Sequence, residues 1–210
     1  MMKPNQYFTT YLSRFLAMLA CLSVIAVAGA DEVTLSNALP KEKQTSLELY
    51  VTSAQAYEKW HAAPDDIKVF DVRTLEEYTF IGHAPMAWNI PLVYQTHQWD
   101  ADKGRFAMLP NPDFLAQVKE VAEPTDTIMV MCRSGGRSAM AVNLLAKAGF
   151  TNVYNITDGF EGDKVEDPGS LYEGKRLRNG WKNSGVPWTY KVNPEHMKLA
   201  NRQEAVATTK

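Results

Sequence analysis

A chain of 210 residues with 22 Lys and Arg against 24 Asp and Glu, a net charge of −2, is sized for one domain with tails. No basic face or Lys/Arg cluster offers a polyanion-binding surface, which argues against nucleic acid as a partner. With only two cysteines, Cys21 and Cys132, a disulfide framework is excluded as the source of stability.

The first thirty residues read as an export signal. Lys3 and Arg14 make a positive start, no acid precedes Asp31, Phe15 to Val27 is apolar, and Ala28-Gly29-Ala30 supplies small residues for cleavage. The apolar stretch is short for a membrane span of about 20 residues. Met18-Leu19-Ala20 before Cys21 is a poor lipoprotein motif. Cleavage after Ala30 leaves residues 31–210 with 20 cations against 24 acids, a net charge of −4, because Lys3 and Arg14 depart. The expected location is periplasmic or secreted, with no membrane partner once the signal is gone. Cys132 is then the only thiol, so neither an intramolecular disulfide nor CxxC redox chemistry is open to the mature protein.

In chain order, residues 31–46 form a polar leader, expected to be mobile. Leu47 to Val51 predicts a short strand, and Ser53 predicts an N-cap for a helix over 54–62, closed by Pro64. Ile67 to Val72 is an apolar run suited to a buried parallel strand. Thr74 and Glu77 have the spacing of a capping box. Ala87 to Ile90 predicts another short strand. A second helix is expected to open at Asn111-Pro112-Asp113, with Pro112 at its first position, and to run to about Ala122. Thr127 to Met131 is the most apolar strand. A helix with Ala139, Val142, Leu145 and Ala146 on one face follows from about Ser138 to Gly149, and Val153 to Ile156 predicts a last strand. Strands alternating with helices predict an α/β, doubly wound parallel sheet with helices on both faces.

Residues 92–110 and 157–181 fit none of these elements and are long for connections. Their aromatics either pack onto the outside of the core or bring the segments to the rim of a site. From Lys191 the chain turns polar, a tail over 191–210. Glu161, Asp163, Glu166 and Asp167 do not have calcium-loop spacing and read as a solvated face, so no metal and no cofactor is expected.

The chemistry concentrates at Cys132-Arg133-Ser134-Gly135-Gly136-Arg137-Ser138. Cys132 ends a strand of an α/β sheet, where such folds bind ligands. The amides of residues 133–138 and the positive end of the next helix are expected to curl around the sulfur. Gly135 and Gly136 permit close backbone approach, and Arg133 and Arg137 add cationic charge. These surroundings favour a thiolate nucleophile. An inert buried cysteine would be followed by apolar residues, which are absent here.

This loop resembles the active-site loop of the rhodanese family of single-domain sulfurtransferases. Asp71-Val72-Arg73, Glu77-Tyr78, Gly82-His83-Ala84 and Asn89-Ile90-Pro91 resemble that family's upstream signature. Val153 to Ile156 with Asp158-Gly159-Phe160 resembles its last strand and turn, with Phe160 where a second glycine is usual. The resemblance spans about residues 47–190. It implies a rhodanese-like fold and a catalytic Cys132 that takes sulfur from a small anionic donor such as thiosulfate, forms a persulfide, and passes the sulfur to cyanide, a thiol or a protein dithiol. It implies donor binding by Arg133, Ser134, Gly135, Gly136, Arg137 and Ser138, with Arg137 open to a bracing role instead. Asp71 and Arg73 are supporting residues on the same terms, and His83 reads as a hydrogen-bonded turn residue.

Two other readings stand beside this one. The chain can serve as a sulfur-carrying or binding module for a dedicated protein partner rather than turn over free thiosulfate. Phosphatases and arsenate reductases also close a cysteine loop with arginine, but with five residues between the two. Here four residues, Arg133 to Gly136, separate Cys132 from Arg137, and the smaller ring suits one sulfur better than a tetrahedral oxyanion.

Overall fold

A computed structural model describes residues 39–198. The signal reading of residues 1–30, most of the leader and the end of the tail lie outside the described residues. Among the described residues, seven strands and four α-helices follow in order: β1 (Tyr50–Val51), α1 (Ser53–Ala62), β2 (Ile67–Asp71), α2 (Leu75–Ile81), β3 (Trp88–Asn89), β4 (Val93–Asp100), β5 (Arg105–Pro110), α3 (Phe114–Lys119), β6 (Thr127–Met131), α4 (Gly136–Lys147) and β7 (Val153–Ile156).

Five strands form a sheet in the order β1-β7-β6-β2-β3, every neighbouring pair parallel. The period of two along a strand explains why both faces are apolar. In β6, Ile128 and Val130 join one core cluster with Phe70, Phe114, Val142 and Leu145, on the side of α3 and α4. Met129 and Met131 join the other, with Val51, Ala56, Val69, Ile156, Phe160 and Trp181. Cys132 follows Met131 and belongs to the first cluster, at the carboxyl end of the central strand. The α/β reading and its strands over 127–131 and 153–156 agree with this architecture, and the strand expected over 67–72 ends one residue earlier, at Asp71.

The helix starts differ in detail. Thr52, not Ser53, caps α1: its hydroxyl accepts from the Gln55 amide, and the Gln55 side chain accepts from the Thr52 amide. Ser53 is instead drawn inward, where its amide and hydroxyl each donate to Asp158 Oδ1 at 2.8 Å. Thr74 and Glu77 do form the expected capping box at α2. Pro112 stands outside α3, which is shorter than expected and begins after Asp113, while the Asp113 amide donates to Asn111 Oδ1. α4 begins at Gly136, two residues ahead of Ser138, because the loop needs fewer residues to turn.

Residues 93–110 are a two-stranded antiparallel ribbon, not a loop. Asp100 turns it: its carboxylate accepts from the Lys103 amide, and Gly104 adopts φ +58°. Residues 157–181 remain largely irregular, pinned by bridges between Lys164 and Arg176 and between Val165 and Glu173, and by Asp158, which accepts from the Gly180 amide.

The ordered unit also exceeds residues 47–190. Pro40 to Ser46 is held rather than mobile: Asn155 donates to Lys43 O, Lys43 pairs with Asp163, and Tyr50 OH accepts from the Thr45 amide. At the other end, the Lys198 amide donates to Asn89 O, and His196 stacks on Trp88 at 4.8 Å.

Trp181 is fully buried and its indole N–H donates to Pro187 O. Trp181→Ala should therefore cost about 3–5 kcal/mol in urea unfolding. Leu171→Ala, at a side chain 89% exposed, should stay within about 0.5 kcal/mol.

Candidate active site

Cys132 is 2% exposed, and its Sγ receives two donors. The Gly135 amide lies at 3.2 Å and the Ser138 hydroxyl at 3.4 Å. Ser138 Oγ is also 3.0 Å from Gly135 O. The loop thus curls back on its own sulfur and passes into α4, whose N-terminus adds positive potential. Gly135 makes the curl at φ +96°, and a Cβ there would collide with the Thr157 carbonyl.

The loop is clamped from two sides. On one, the Phe160 amide donates to Cys132 O at 2.7 Å, and the Glu161 and Gly162 amides donate to Arg133 O. Gly159, at φ +62°, permits this approach, since a Cβ would stand 2.6 Å from Cys132 O and the Ser134 amide nitrogen. Asn155 Nδ2 adds a bond to Gly135 O at 3.2 Å. On the other side, Arg137 Nη1 and Nη2 meet Glu77 Oε2 and Oε1 at 2.7 and 2.6 Å. This bidentate pair consumes the guanidinium fork, so Arg137 braces the loop against α2.

Burial alone would push the Glu77 carboxyl up, but hydrogen bonding and charge from Arg137, with the Thr74 amide, hold it below the ordinary range. Burial likewise works against Arg137, and Glu77 and then the Cys132 charge raise it nevertheless. The pair is therefore ionised throughout the neutral range.

Asp71 and Arg73 are wholly buried and never touch Sγ. Arg73 Nη2 reaches Asp71 Oδ2 at 2.6 Å and Gly82 O at 2.8 Å, and its guanidinium lies 4.1 Å above the Phe160 ring. They thus support, from beneath, the turn that clamps the loop. Phe160, the departure from the glycine pattern, supplies that ring. His83 is buried between the carbonyls of Tyr78 and Lys191, and burial holds it below the ordinary histidine value, hence neutral. It is a turn residue. Among the described residues no cluster of His, Cys, Asp and Glu is arranged to hold a metal.

Above the sulfur lies a cleft of about 520 Å³, lined by Cys132, Arg133, Ser134, Gly136, Arg137 and Glu77 together with Gln95, Trp99, Arg105, Phe106 and Met108 of the ribbon. Arg133 is exposed on its wall. Of the alternatives for residues 92–110, the rim position is the one adopted. Four participants went unread in the sequence: Glu77 as brace, Asn155, Arg105 and Arg176. Arg176 donates to Gly162 O, and burial and the nearby charge of Arg133 hold its guanidinium below its ordinary value. Only Glu77 carried a local signal, being already the capping-box acid.

A Rhodanese-like domain model matches residues 53–166. "Thiosulfate sulfurtransferase 16, chloroplastic" of Arabidopsis thaliana is 42% identical over 93 residues, 44% of this chain and 70% of that protein. "Senescence-associated protein DIN1" of Raphanus sativus is 40% identical over 93 residues, 44% of this chain and 46% of that protein. Among solved structures, Rv0390 from M. tuberculosis aligns with a TM-score of 0.52 at 28% identity, covering 67% of this chain and 96% of that one.

Glu77→Gln keeps the capping acceptor and removes the charge. Because folding lowers the Glu77 pKa, its contribution is complete above the ordinary glutamate range and is lost as pH falls through the depressed folded value. In urea unfolding the variant should be about 1–3 kcal/mol less stable at neutral pH, and the gap should close on acidification.

Proposed function

The chain belongs to the rhodanese-like domain family, and from that premise we propose that it is a sulfurtransferase working through a Cys132 persulfide. The family match over residues 53–166 and the similarity to a thiosulfate sulfurtransferase support sulfur-transfer chemistry in general. The observation that carries the persulfide reading is the Cys132 sulfur itself, at the end of the central strand, receiving the Gly135 amide and the Ser138 hydroxyl.

Arg133 draws an anionic donor into the cleft. The Cys132 thiolate attacks the outer sulfur of thiosulfate: a new S–S bond forms at Sγ, the bond to the inner sulfur breaks, and sulfite departs with the electron pair. The product is a persulfide anion, so charge balances without proton transfer and no general base is required. The Gly135 amide and Ser138 hydroxyl hold the sulfur of Cys132, while the clamps from Phe160 and from Arg137–Glu77 keep the loop in shape. An acceptor (cyanide, a thiol or a protein dithiol) then attacks the terminal sulfur and regenerates the thiolate. The export signal read in residues 1–30 supports a periplasmic or extracellular setting for this chemistry.

The loop length supports sulfur transfer over phosphate chemistry, since four residues between Cys132 and Arg137 make a small ring. Two substrates sharing one covalent intermediate give parallel double-reciprocal lines for thiosulfate and cyanide. Cys132→Ser should lower kcat/KM by about a thousandfold or more. Intersecting lines, or hydrolysis of an aryl phosphate by wild type but not by the serine variant, would refute the reading.

A further inference from the structure

The ribbon over the Cys132 cleft is built from cross-strand pairs that share a face. Gln95 pairs with Met108 and Trp99 with Phe106, and all four line the cleft. Gln95 and Trp99 lie four residues apart on β4, and Met108 and Phe106 two apart on β5, so strand alternation puts both pairs on one face across the register shift between them. The Trp99 and Phe106 rings meet edge to face at 5.4 Å, and both remain well exposed, at 60% and 45%. Exposed aromatics held in a fixed pair on a cleft wall mark a binding surface.

The cleft also carries cationic charge. Arg133 and the ribbon's Arg105 line the cleft, and neither is in an ion pair with any of the described residues. Glu77, the cleft's carboxylate, is occupied by Arg137. The cleft therefore offers a thiol, two arginines outside the described ion pairs and an exposed aromatic pair. At about 520 Å³ it falls in the range, roughly 300–1,000 Å³, that encloses a drug-sized organic molecule. Thiosulfate, with five heavy atoms and no apolar part, uses the cations and the thiol but leaves the aromatic wall idle.

Resting on the sulfurtransferase reading above, we infer that the Trp99–Phe106 ribbon makes this cleft selective for sulfane sulfur carried on an anionic organic molecule with an apolar or aromatic body, in preference to inorganic thiosulfate. The anionic head sits toward Arg105 and Arg133, the apolar body against Trp99, Phe106 and Met108, and the terminal sulfur at Cys132. With a thiosulfonate, R–SO₂–S⁻, the Cys132 thiolate forms the new S–S bond, the bond between the two donor sulfurs breaks, and the sulfinate R–SO₂⁻ leaves with the electron pair. Total charge is unchanged.

The test compares kcat/KM for benzenethiosulfonate, methanethiosulfonate and thiosulfate, with cyanide as common acceptor, in wild type and in the double variant Trp99→Ala/Phe106→Ala. Wild type should favour the benzene donor over the methane donor by about tenfold or more, the scale of burying one aromatic ring. The double variant should lose about tenfold of that ratio, whereas Leu109→Ala, outside the cleft on the same ribbon, should leave the ratio unaltered. Circular dichroism melts of each variant distinguish loss of selectivity from loss of fold. A ratio near one in wild type, or equal losses on all donors in a folded double variant, overturns the inference and leaves the sulfurtransferase reading standing. A loss confined to the cyanide half-reaction also overturns it, assigning the ribbon to the acceptor. If no donor charges wild type, both readings fall together.

Discussion

The arrangement depends on one constraint: the three residues between Cys132 and α4 must curl back toward a single sulfur and still enter a helix. Such a curl leaves backbone carbonyls pointing outward, where they need partners in a buried setting. The turn after β7 provides them. Phe160, Glu161 and Gly162 donate to Cys132 O and Arg133 O, and they can do so because Gly159 has no side chain at the closest approach. The opposite end of the curl is tied by Arg137 to Glu77, whose own position is set by the capping box of α2. The sulfur is thus positioned by three separate segments that the parallel sheet brings side by side.

Those segments are adjacent because β6 sits between β2 and β7. The carboxyl ends of β2 and β7 deliver Asp71 with Arg73 and the Gly159 turn to either side of Cys132. Arg73 unites them, bonded to Asp71 and Gly82 and lying on Phe160. A buried ion pair of this kind gains little net stability over apolar residues, but it is costly to break and has defined geometry. Its value here is positional. The ribbon is a separate layer above this frame, and its variation need not disturb the loop.

Much of the frame was legible because its signals are local. The apolar runs at 67–71 and 127–131 have strand length, the Thr74–Glu77 spacing is a helix start, and the cysteine loop with its closing Arg137 stands in one continuous stretch. What escaped is long-range or weakly patterned. The choice of Thr52 over Ser53 as a cap turns on Asp158, more than a hundred residues away. Pro40 to Ser46 is composed like a linker yet is fastened by Asn155, Asn143 and Asp163. The ribbon carries Gln95, Thr96, His97 and Gln98 through the middle of β4, which blurs alternation, although Asp100 to Gly104 is a turn signal between two strand-like runs. Arg105 and Arg176 join the site only through tertiary folding and had no motif to announce them.

The central claim is that Cys132 accepts one sulfur atom and holds it covalently. Intact-mass measurement of the protein after thiosulfate and removal of excess donor reads this directly. The account predicts a gain of one sulfur atom on wild type, its loss on adding cyanide, and no gain on Cys132→Ser. An unchanged wild-type mass, or the same gain on the serine variant, would contradict it.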